Sequence, residues 1–284
     1  MFFLKMLSKL PLSVLYCLAD FLAFIAFNVI KYRRSVVFDN LSKAFPAKQK
    51  AELNKIAKKF YMHLADWLIE TLKASNLSET QLKRRVHFEH TELIREYLDQ
   101  DKSVIVLTAH QFNWEWVLLS GCLAFEAPID AIYMPVSNKR VESFLLSIRS
   151  RFGGSPIPKD EALSILVKRI KKKRIIAMVA DQRPPQHATD KYWSHFLQQE
   201  TAFYLGPETL PKFIKLPVFF MRTHKTGRGR YTVSIEKIAE PPYDYLKKEI
   251  MPLYIEKLEE LLEKHPDNWL WTHKRWKYTR GAYE

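Results

Sequence analysis

A short apolar run places a histidine at the end of a predicted buried strand. The run, from Val104 to Thr108, is rich in β-branched residues, and His110 follows two residues after it. Glu115 comes five residues later, just inside a predicted helix. Ligands of open α/β sheets collect beyond the carboxyl ends of the strands. This segment therefore predicts an α/β fold with acid–base chemistry at His110.

The spacing of His110 and Glu115 restricts how the two side chains can meet. Residues five apart on a regular helix diverge by roughly 140°, so the pair converges only if His110 lies on the turn before the helix. His110 is then a general base whose tautomer Glu115 fixes, and the nucleophile is the substrate itself. A metal site is not predicted, because H-E-x-x-H needs a second histidine four residues away. A histidine bound at a helix N-terminus, with Glu115 as a helix-dipole charge, is the structural alternative.

The charge balance indicates anionic partners. The 284 residues, enough for one domain, carry 45 Lys and Arg against 31 Asp and Glu, a net charge of +14. An acidic carrier protein or an anionic membrane surface suits this excess. Zinc-finger spacing and RNP-like aromatic strings are absent, so nucleic acid is not an expected partner. A non-enzymatic basic protein that binds membranes or nucleic acid is the alternative from another class.

Other composition features exclude several enzyme classes. The two cysteines, Cys17 and Cys122, give no disulfide framework and fit a reducing compartment. Neither G-x-G-x-x-G nor a P-loop occurs, so we expect no nucleotide cofactor. The absence of G-x-S-x-G argues against a conventional serine hydrolase.

An apolar segment near the N-terminus predicts membrane attachment. Residues 10–30 form a largely apolar run, which as a helix is about 31 Å long and can cross a bilayer. Asp20 interrupts it, so a full span competes with a helix that is partly sunk in the membrane face and partly packed on the domain. Lys31, Arg33 and Arg34 follow directly, which favours a cytoplasmic position for the rest of the chain. We predict an anchoring segment at 1–34 and a catalytic domain at 35–284.

Strands and helices alternate along the remainder, which predicts one mixed sheet flanked by helices. Trp269 and Trp271 have the spacing of one strand face and are expected in the core. Strands are predicted at 86–89, 104–108, 129–133, 175–179, 218–222 and 231–235, and helices at 51–74, 92–99, 113–125, 141–151, 161–170 and 245–264.

Four segments, in order along the chain, resemble the signatures of one enzyme superfamily. H-Q-F-N-W-E, from His110 to Glu115, resembles the H-x4-D/E motif of glycerolipid and lysophospholipid acyltransferases. The fuller T-A-H-x-x-N-W-E-W resembles the bacterial branch of lipid A late acyltransferases. N-L-x-x-x-F-P from Asn40, A-D-Q from Ala180 and P-x-x-W-L-W-x-H-x-R-W from Pro266 resemble other signatures of that branch. Together they cover nearly the whole chain.

The resemblance implies a membrane-associated O-acyltransferase with an acyltransferase-type α/β domain. Such an enzyme moves a fatty acyl chain from a thioester donor to a lipid hydroxyl, here a secondary acylation of lipid A at the cytoplasmic side of the inner membrane. A lysophospholipid, glycolipid or aminolipid acceptor is the alternative within the superfamily. The co-substrate is acyl-carrier protein or acyl-coenzyme A, with no further cofactor, and the basic charge suits the acidic carrier protein.

The resemblance also implies which residues form the site. His110 and Glu115 match the catalytic pair of the motif. The wider superfamily binds substrate phosphate through an arginine after the second strand, and Arg149 and Arg151 both fit that position.

Three further residues are expected to contact substrate. Asp181 ends a predicted strand, where it can anchor the His110 loop, hold an acceptor sugar or cap the following loop. Gln182 beside it and Asn113 within the first motif are the other two expected binding residues.

Overall fold

The computed structural model describes residues 6–189 and 191–282, which are built around a seven-stranded sheet. Its order is β1-β9-β8-β2-β5-β3-β4, while β6 and β7 pair as a separate antiparallel hairpin. Neighbours in the large sheet run parallel except β8 and β9, so the predicted mixed sheet is confirmed. The strands are β1 (Val86–Glu89), β2 (Val104–Thr108), β3 (Ile129–Tyr133), β4 (Gly154–Pro158), β5 (Ile175–Val179), β6 (Lys191–Phe196), β7 (Gln199–Tyr204), β8 (Val218–Gly227) and β9 (Arg230–Ala239).

Helices cover both faces of the sheet. The α-helices of the described residues are α1 (Leu12–Phe24), α2 (Arg34–Ala44), α3 (Lys50–Ala74), α4 (Glu79–Lys83), α5 (Glu92–Leu98), α6 (Trp114–Phe125), α7 (Lys139–Arg149), α8 (Ala162–Arg169), α9 (Gly206–Ile214) and α10 (Ile250–Lys264). A π-helical turn, Ile25–Val29, extends α1.

Strand β2 shows how the sheet divides the core. Val104 and Val106 belong to the cluster that contains Trp116 of α6. The alternate residues, Ile105 and Leu107, belong to the cluster that contains residues of α10. Side chains of a strand alternate between faces, so an apolar run with no polar interruption is buried on both sides. This explains why the run before His110 has no alternating pattern.

Helix α1 lies against the domain and exposes part of its apolar surface. Leu15, Ala19 and Ala23 are buried and pack with Ala65 and Ile69 of α3. Among the described residues, one stretch, at 12–29, is long and apolar enough to cross a membrane by length and composition, and 22% of it is buried. Large apolar side chains that remain exposed here are Val14, Phe21, Phe24, Val29 and Ile30.

The predicted N-terminal apolar helix is therefore present, and the division at residue 34 stays a prediction. Of the two predicted segments, residues 1–5, 190, 283 and 284 lie outside the described residues. The six predicted strands all occur, although β8 and β9 are longer than expected.

The C-terminal tryptophans depart from their predicted strand. Trp269 and Trp271 are buried as expected, with their rings perpendicular and their centroids 4.7 Å apart. The backbone N–H of Trp271 donates to the carbonyl of Trp269, and its indole donates to the carbonyl of Pro266. Because these bonds close within the segment, it forms turns instead of pairing with a strand.

Candidate active site

His110 and Asp181 meet because their strands are parallel neighbours in register. Thr108 at the end of β2 pairs with Val179 at the end of β5. Each site residue follows its strand by two positions, so both emerge at the same point of the sheet edge. His110 Nδ1 lies 2.7 Å from Asp181 Oδ1.

Both carboxylate oxygens of Asp181 have a hydrogen-bond partner. It is 1% exposed, and its second oxygen, Oδ2, accepts the indole N–H of Trp269 at 2.6 Å. Burial acts to raise the pKa of this carboxyl, but the adjacent His110 and the two hydrogen bonds outweigh burial, so the pKa lies below its usual value. An ionised Asp181 accepts the Nδ1 proton of His110. The imidazole is thereby fixed with the Nε2 lone pair available as a base.

Glu115 binds a different partner from the one predicted. Its carboxylate accepts Arg149 Nε at 2.9 Å on Oε2 and at 3.2 Å on Oε1, and Arg149 Nη2 also donates to Oε1. The indole of Trp114 donates to Oε1 at 3.1 Å. The expectation that Glu115 orients His110 is corrected, because the first turn of α6 aims this carboxylate at the end of α7. Asp181 occupies the orienting position.

Arg149 is charged in this arrangement. Burial acts to lower the pKa of its guanidinium, but the hydrogen bonds and charge of Glu115 outweigh burial and raise the pKa above its usual value. A paired planar guanidinium of this kind can still present a free edge to an anion. Arg149 lines the cavity described below, so of the two candidate arginines it is the one placed at the site.

Arg151 is not at the site. Its Nη2 donates to the carbonyl of Leu77 at 2.7 Å, and its Nη1 donates to the carbonyl of Ala74. These are the last carbonyls of α3 and the residues after it, so Arg151 fastens the end of that helix. The expectation of a substrate contact for Arg151 is corrected.

Asn113 is a helix cap and lies away from the cavity. It is fully buried, and its Oδ1 accepts the backbone N–H groups of Glu115 and Trp116 at 3.1 and 3.2 Å. Its Nδ2 donates to the buried carboxylate of Glu70 at 3.0 Å. The expected substrate contact of Asn113 is corrected to an N-cap that fixes the start of α6. Because these two N–H groups are occupied, they are not free to stabilise an oxyanion.

A large apolar cavity opens at the sheet edge beside His110. Its volume is about 790 Å³, and its polar lining includes His110, Glu115, Arg149 and Gln182. Gln182 Nε2 lies 3.3 Å from His110 Nε2, so the amide contacts the ring nitrogen that Asp181 leaves free. Gln182 thus lies in the cavity beside His110, and its contact with substrate stays a prediction.

Sequence reasoning missed the residues that hold the site from the C-terminal turn. Trp269 was expected only to fill the core, yet it fixes Asp181. Asn268 accepts the N–H of Phe112 at 3.0 Å and donates to the carbonyl of Thr223 at 2.8 Å, joining the His110 loop to β8. The C-terminal motif marked this segment, but spacing alone gave no sign of its contact with the site.

No group of three or more His, Cys, Asp or Glu side chains within 6–189 and 191–282 is placed to hold an ion. The site combines an oriented imidazole, a guanidinium paired with a carboxylate, and an apolar cavity, so it can hold a hydrocarbon chain beside a group that can accept a proton.

Comparison with known proteins identifies the family of the chain. A search of curated proteins found no match to the chain. The family model described as bacterial lipid A biosynthesis acyltransferase matches residues 1–278, which confirms the resemblance carried by the four segments. The chain belongs to the bacterial lipid A biosynthesis acyltransferase family and is an acyltransferase.

Proposed function

We propose that the protein adds a secondary acyl chain to a lipid A precursor, using a thioester donor and His110 as general base. The observation that carries this proposal is the 2.7 Å contact of His110 with Asp181 at the mouth of an apolar cavity of about 790 Å³. An oriented imidazole suits activation of a hydroxyl. A cavity lined mainly by hydrocarbon suits a fatty acyl chain.

The reaction needs one proton acceptor and no enzyme-bound intermediate. His110 Nε2 takes the proton of the acceptor hydroxyl as its oxygen attacks the thioester carbonyl carbon. The C–S bond then breaks, and the imidazolium returns the proton to the leaving thiolate. Asp181 stabilises the imidazolium while it exists.

Gln182 and Arg149 are the two polar residues of the cavity lining that we expect to contact the substrates. When a hydroxyl displaces the Gln182 amide from His110 Nε2, that amide becomes free to donate to the developing oxyanion. Arg149 Nη1 takes no part in the pair with Glu115 and can bind an anionic group of a substrate. In this proposal Glu115 positions Arg149, and Asp181 orients His110.

The net charge supports an acidic carrier protein as donor partner. A charge of +14 favours docking of an acidic acyl-carrier protein, while acyl-coenzyme A is the second donor with the same thioester chemistry. The anionic membrane surface is a further partner for the same positive surface.

Membrane attachment through α1 is proposed to be monotopic, at the cytoplasmic face of the inner membrane. One side of α1 packs on α3, and Asp20 forms an ion pair with Arg228 of the β8–β9 turn at 2.7 Å. Phe21 and Phe24 on the same helix are 61% and 57% exposed. A helix with one side bound to its own domain and apolar side chains on the other suits insertion into one leaflet.

Lipid mass spectrometry tests the reaction. In a strain that lacks the protein, lipid A is expected to lose the mass of one acyl chain, and the wild-type protein should restore it. His110→Ala should restore little, because loss of a general base costs about 10²- to 10⁴-fold in rate. His195→Ala, an exposed histidine of β6, is the matched control and should restore it fully. Unchanged lipid A but altered phospholipid or glycolipid would move the proposal to another acceptor.

A further inference from the structure

The buried carboxylate of Glu70 lies between the N-terminal helix and the His110 loop, residues 110–113, which joins β2 to α6. Glu70 belongs to α3 and is fully buried. Its Oε1 accepts the hydroxyl of Tyr16 of α1 at 2.8 Å. Its Oε2 accepts Asn113 Nδ2 at 3.0 Å and the hydroxyl of Tyr231 of β9 at 2.5 Å. Donors from three separate elements therefore converge on one side chain that the proposed reaction does not use.

The amide of Asn113 connects Glu70 to the active site. Asn113 ends the His110 loop, and its two amide atoms have different partners. Oδ1 accepts the N–H groups of Glu115 and Trp116, while Nδ2 donates to Glu70. A buried Nδ2 without an acceptor is unfavourable, so without Glu70 the amide would turn towards another partner and give up the cap. Glu70 therefore fixes the direction of the cap that starts α6.

The backbone of Glu70 holds the same turn of α6 from a second side. The indole of Trp116 donates to the Glu70 carbonyl at 2.8 Å, within the core. This turn carries Glu115, whose carboxylate binds Arg149 in the cavity wall. Because the base precedes this turn and Glu115 lies in it, a shift of Glu70 would displace both. A misplacement of about 1 Å at a reacting site can cost about 10²-fold in rate.

Tyr16 makes α1 part of this support. The guanidinium of Arg228 lies 4.5 Å from the centre of the Tyr16 ring, and its Nη2 donates to the Tyr16 carbonyl at 3.2 Å. Gly229 beside it has a φ of 67°, and a Cβ there would collide with the Tyr16 hydroxyl. The β8–β9 turn thus leaves room for this hydroxyl and holds it against Glu70.

We propose that Glu70 positions the His110 loop, and that α1 supports catalysis through the contacts of Tyr16 with Glu70 and of Glu70 with Asn113. The docking of α1 on α3 then sets the geometry of the His110 loop as well as attaching the protein to the membrane. The inference rests on the proposed role of His110 as general base and holds for any acceptor lipid. It makes the catalytic rate depend on a hydroxyl that does not line the cavity.

Removal of the Tyr16 hydroxyl tests the link from α1. Tyr16→Phe should lower kcat about tenfold and leave the KM of donor and acceptor within about twofold, because Tyr16 does not line the cavity. Tyr243→Phe is the matched control: Tyr243 is also half-buried, and its hydroxyl donates to the carbonyl of Leu216 at 2.6 Å, outside the network. Both variants are assayed well below their Tm. A loss of kcat confined to Tyr16→Phe supports positioning, and equal kcat in the two variants overturns the inference.

Vesicle binding separates positioning from membrane attachment. Tyr16→Phe should bind vesicles of phosphatidylethanolamine and phosphatidylglycerol as tightly as the wild-type protein, because the exposed apolar side of α1 is unchanged. Its loss of kcat should persist in detergent micelles, where no bilayer is present. Full activity in micelles, or a loss of vesicle binding in proportion to the loss of rate, would assign the effect to attachment and overturn the inference.

An exchange of donor and acceptor tests the link between Glu70 and Asn113. Asn113→Asp keeps an N-cap oxygen but sets a second carboxylate against Glu70, so kcat should fall about tenfold or more. Combined with Glu70→Gln, which supplies an amide donor to the introduced carboxylate, the double variant should recover most of the loss. Glu70→Gln alone completes the double-mutant cycle. A double variant no faster than Asn113→Asp overturns the inference.

The proposed function and this inference fail on different results. If His110→Ala retains wild-type transfer, the proposed function fails and the inference fails with it. If His110→Ala is inactive while Tyr16→Phe has the kcat of Tyr243→Phe, the proposed function stands, and the Glu70 network supports only the fold.

Discussion

Asp181 and Glu115 are buried to the same degree and differ in what they bind. Each side chain is 1% exposed. Each carboxylate accepts one indole N–H, but the other partner of Asp181 is an imidazole, whereas that of Glu115 is a guanidinium. A histidine changes its charge near neutral pH, and an arginine does not. The first pair is therefore suited to moving a proton, and the second to holding a fixed charge in place.

The largest expected effect is on the rate of catalysis, and it tests whether Asp181 or Glu115 fixes the tautomer of His110. Asp181→Asn keeps the shape of the side chain but removes the charge that fixes Nδ1 as the donor, so kcat should fall about 10²- to 10⁴-fold. Glu115→Gln should act mainly on substrate KM, because it loosens Arg149. Steady-state kinetics of both variants, with folding checked by circular dichroism, provide the measurement. A folded Glu115→Gln enzyme with the same kcat loss and unchanged KM would return the orienting role to Glu115.

The next largest effect is on stability, and it concerns the pair formed by Glu115 and Arg149. Glu115→Ala leaves the Arg149 charge buried without its partner, which should lower the free energy of unfolding by about 3–5 kcal/mol. Replacing both residues, as in Glu115→Leu with Arg149→Met, should recover much of the loss, because no buried charge remains. Urea unfolding of the single and double variants measures the coupling. Additive losses would show that the pair contributes nothing as a pair.

The third effect concerns the indole that holds Asp181. Trp269→Phe keeps an aromatic ring but removes one hydrogen bond to a buried carboxylate, at a cost of about 1–3 kcal/mol in stability. Trp276→Phe is the matched control, because it removes an indole hydrogen bond to a neutral hydroxyl, that of Thr201.

The same variant should change how stability depends on pH. The folded pKa of Asp181 lies below its usual value, so its contribution to stability is present above the unfolded pKa of about 3.9 and is lost as pH falls through the folded pKa. Trp269→Phe raises the folded pKa towards the unfolded value, so less stability remains to be lost in acid. Thermal unfolding between neutral and acidic pH should show a shallower acid decline than in wild type. An identical decline would mean that Trp269 does not influence this carboxyl.

The sequence predicted much of the sheet and only part of the site, for a physical reason. β2 and β5 were recognisable because residues buried on both faces give continuous apolar runs. β4, with its prolines, and the polar β6–β7 hairpin have no such pattern, and α9 contains Pro207 and Pro211. A local sequence pattern indicates how a segment is buried. Elements that mix apolar, polar and proline residues give no clear pattern, so they were not predicted.

Which side chains pair with each other was harder to predict than which residues line the cavity. His110, Arg149 and Gln182 were expected at the site, and all three line the cavity. The pairing of His110 with Glu115 was inferred from their closeness in sequence. The actual partner lies 71 positions away and is brought close by strand register. Register between strands cannot be derived from one chain's spacing.

The smallest expected effect is at a half-exposed ion pair, between Asp20 of α1 and Arg228. Here the side chains are 52% and 34% exposed, so water screens the charges and Asp20→Asn should cost less than about 1 kcal/mol of stability. Arg228→Met should cost more, because Arg228 also binds the buried carboxylate of Asp66 at 2.7 Å. Unfolding in detergent measures both. A loss for Asp20→Asn as large as that for Glu115→Ala would contradict the dependence on burial and would place α1 within the cooperative core.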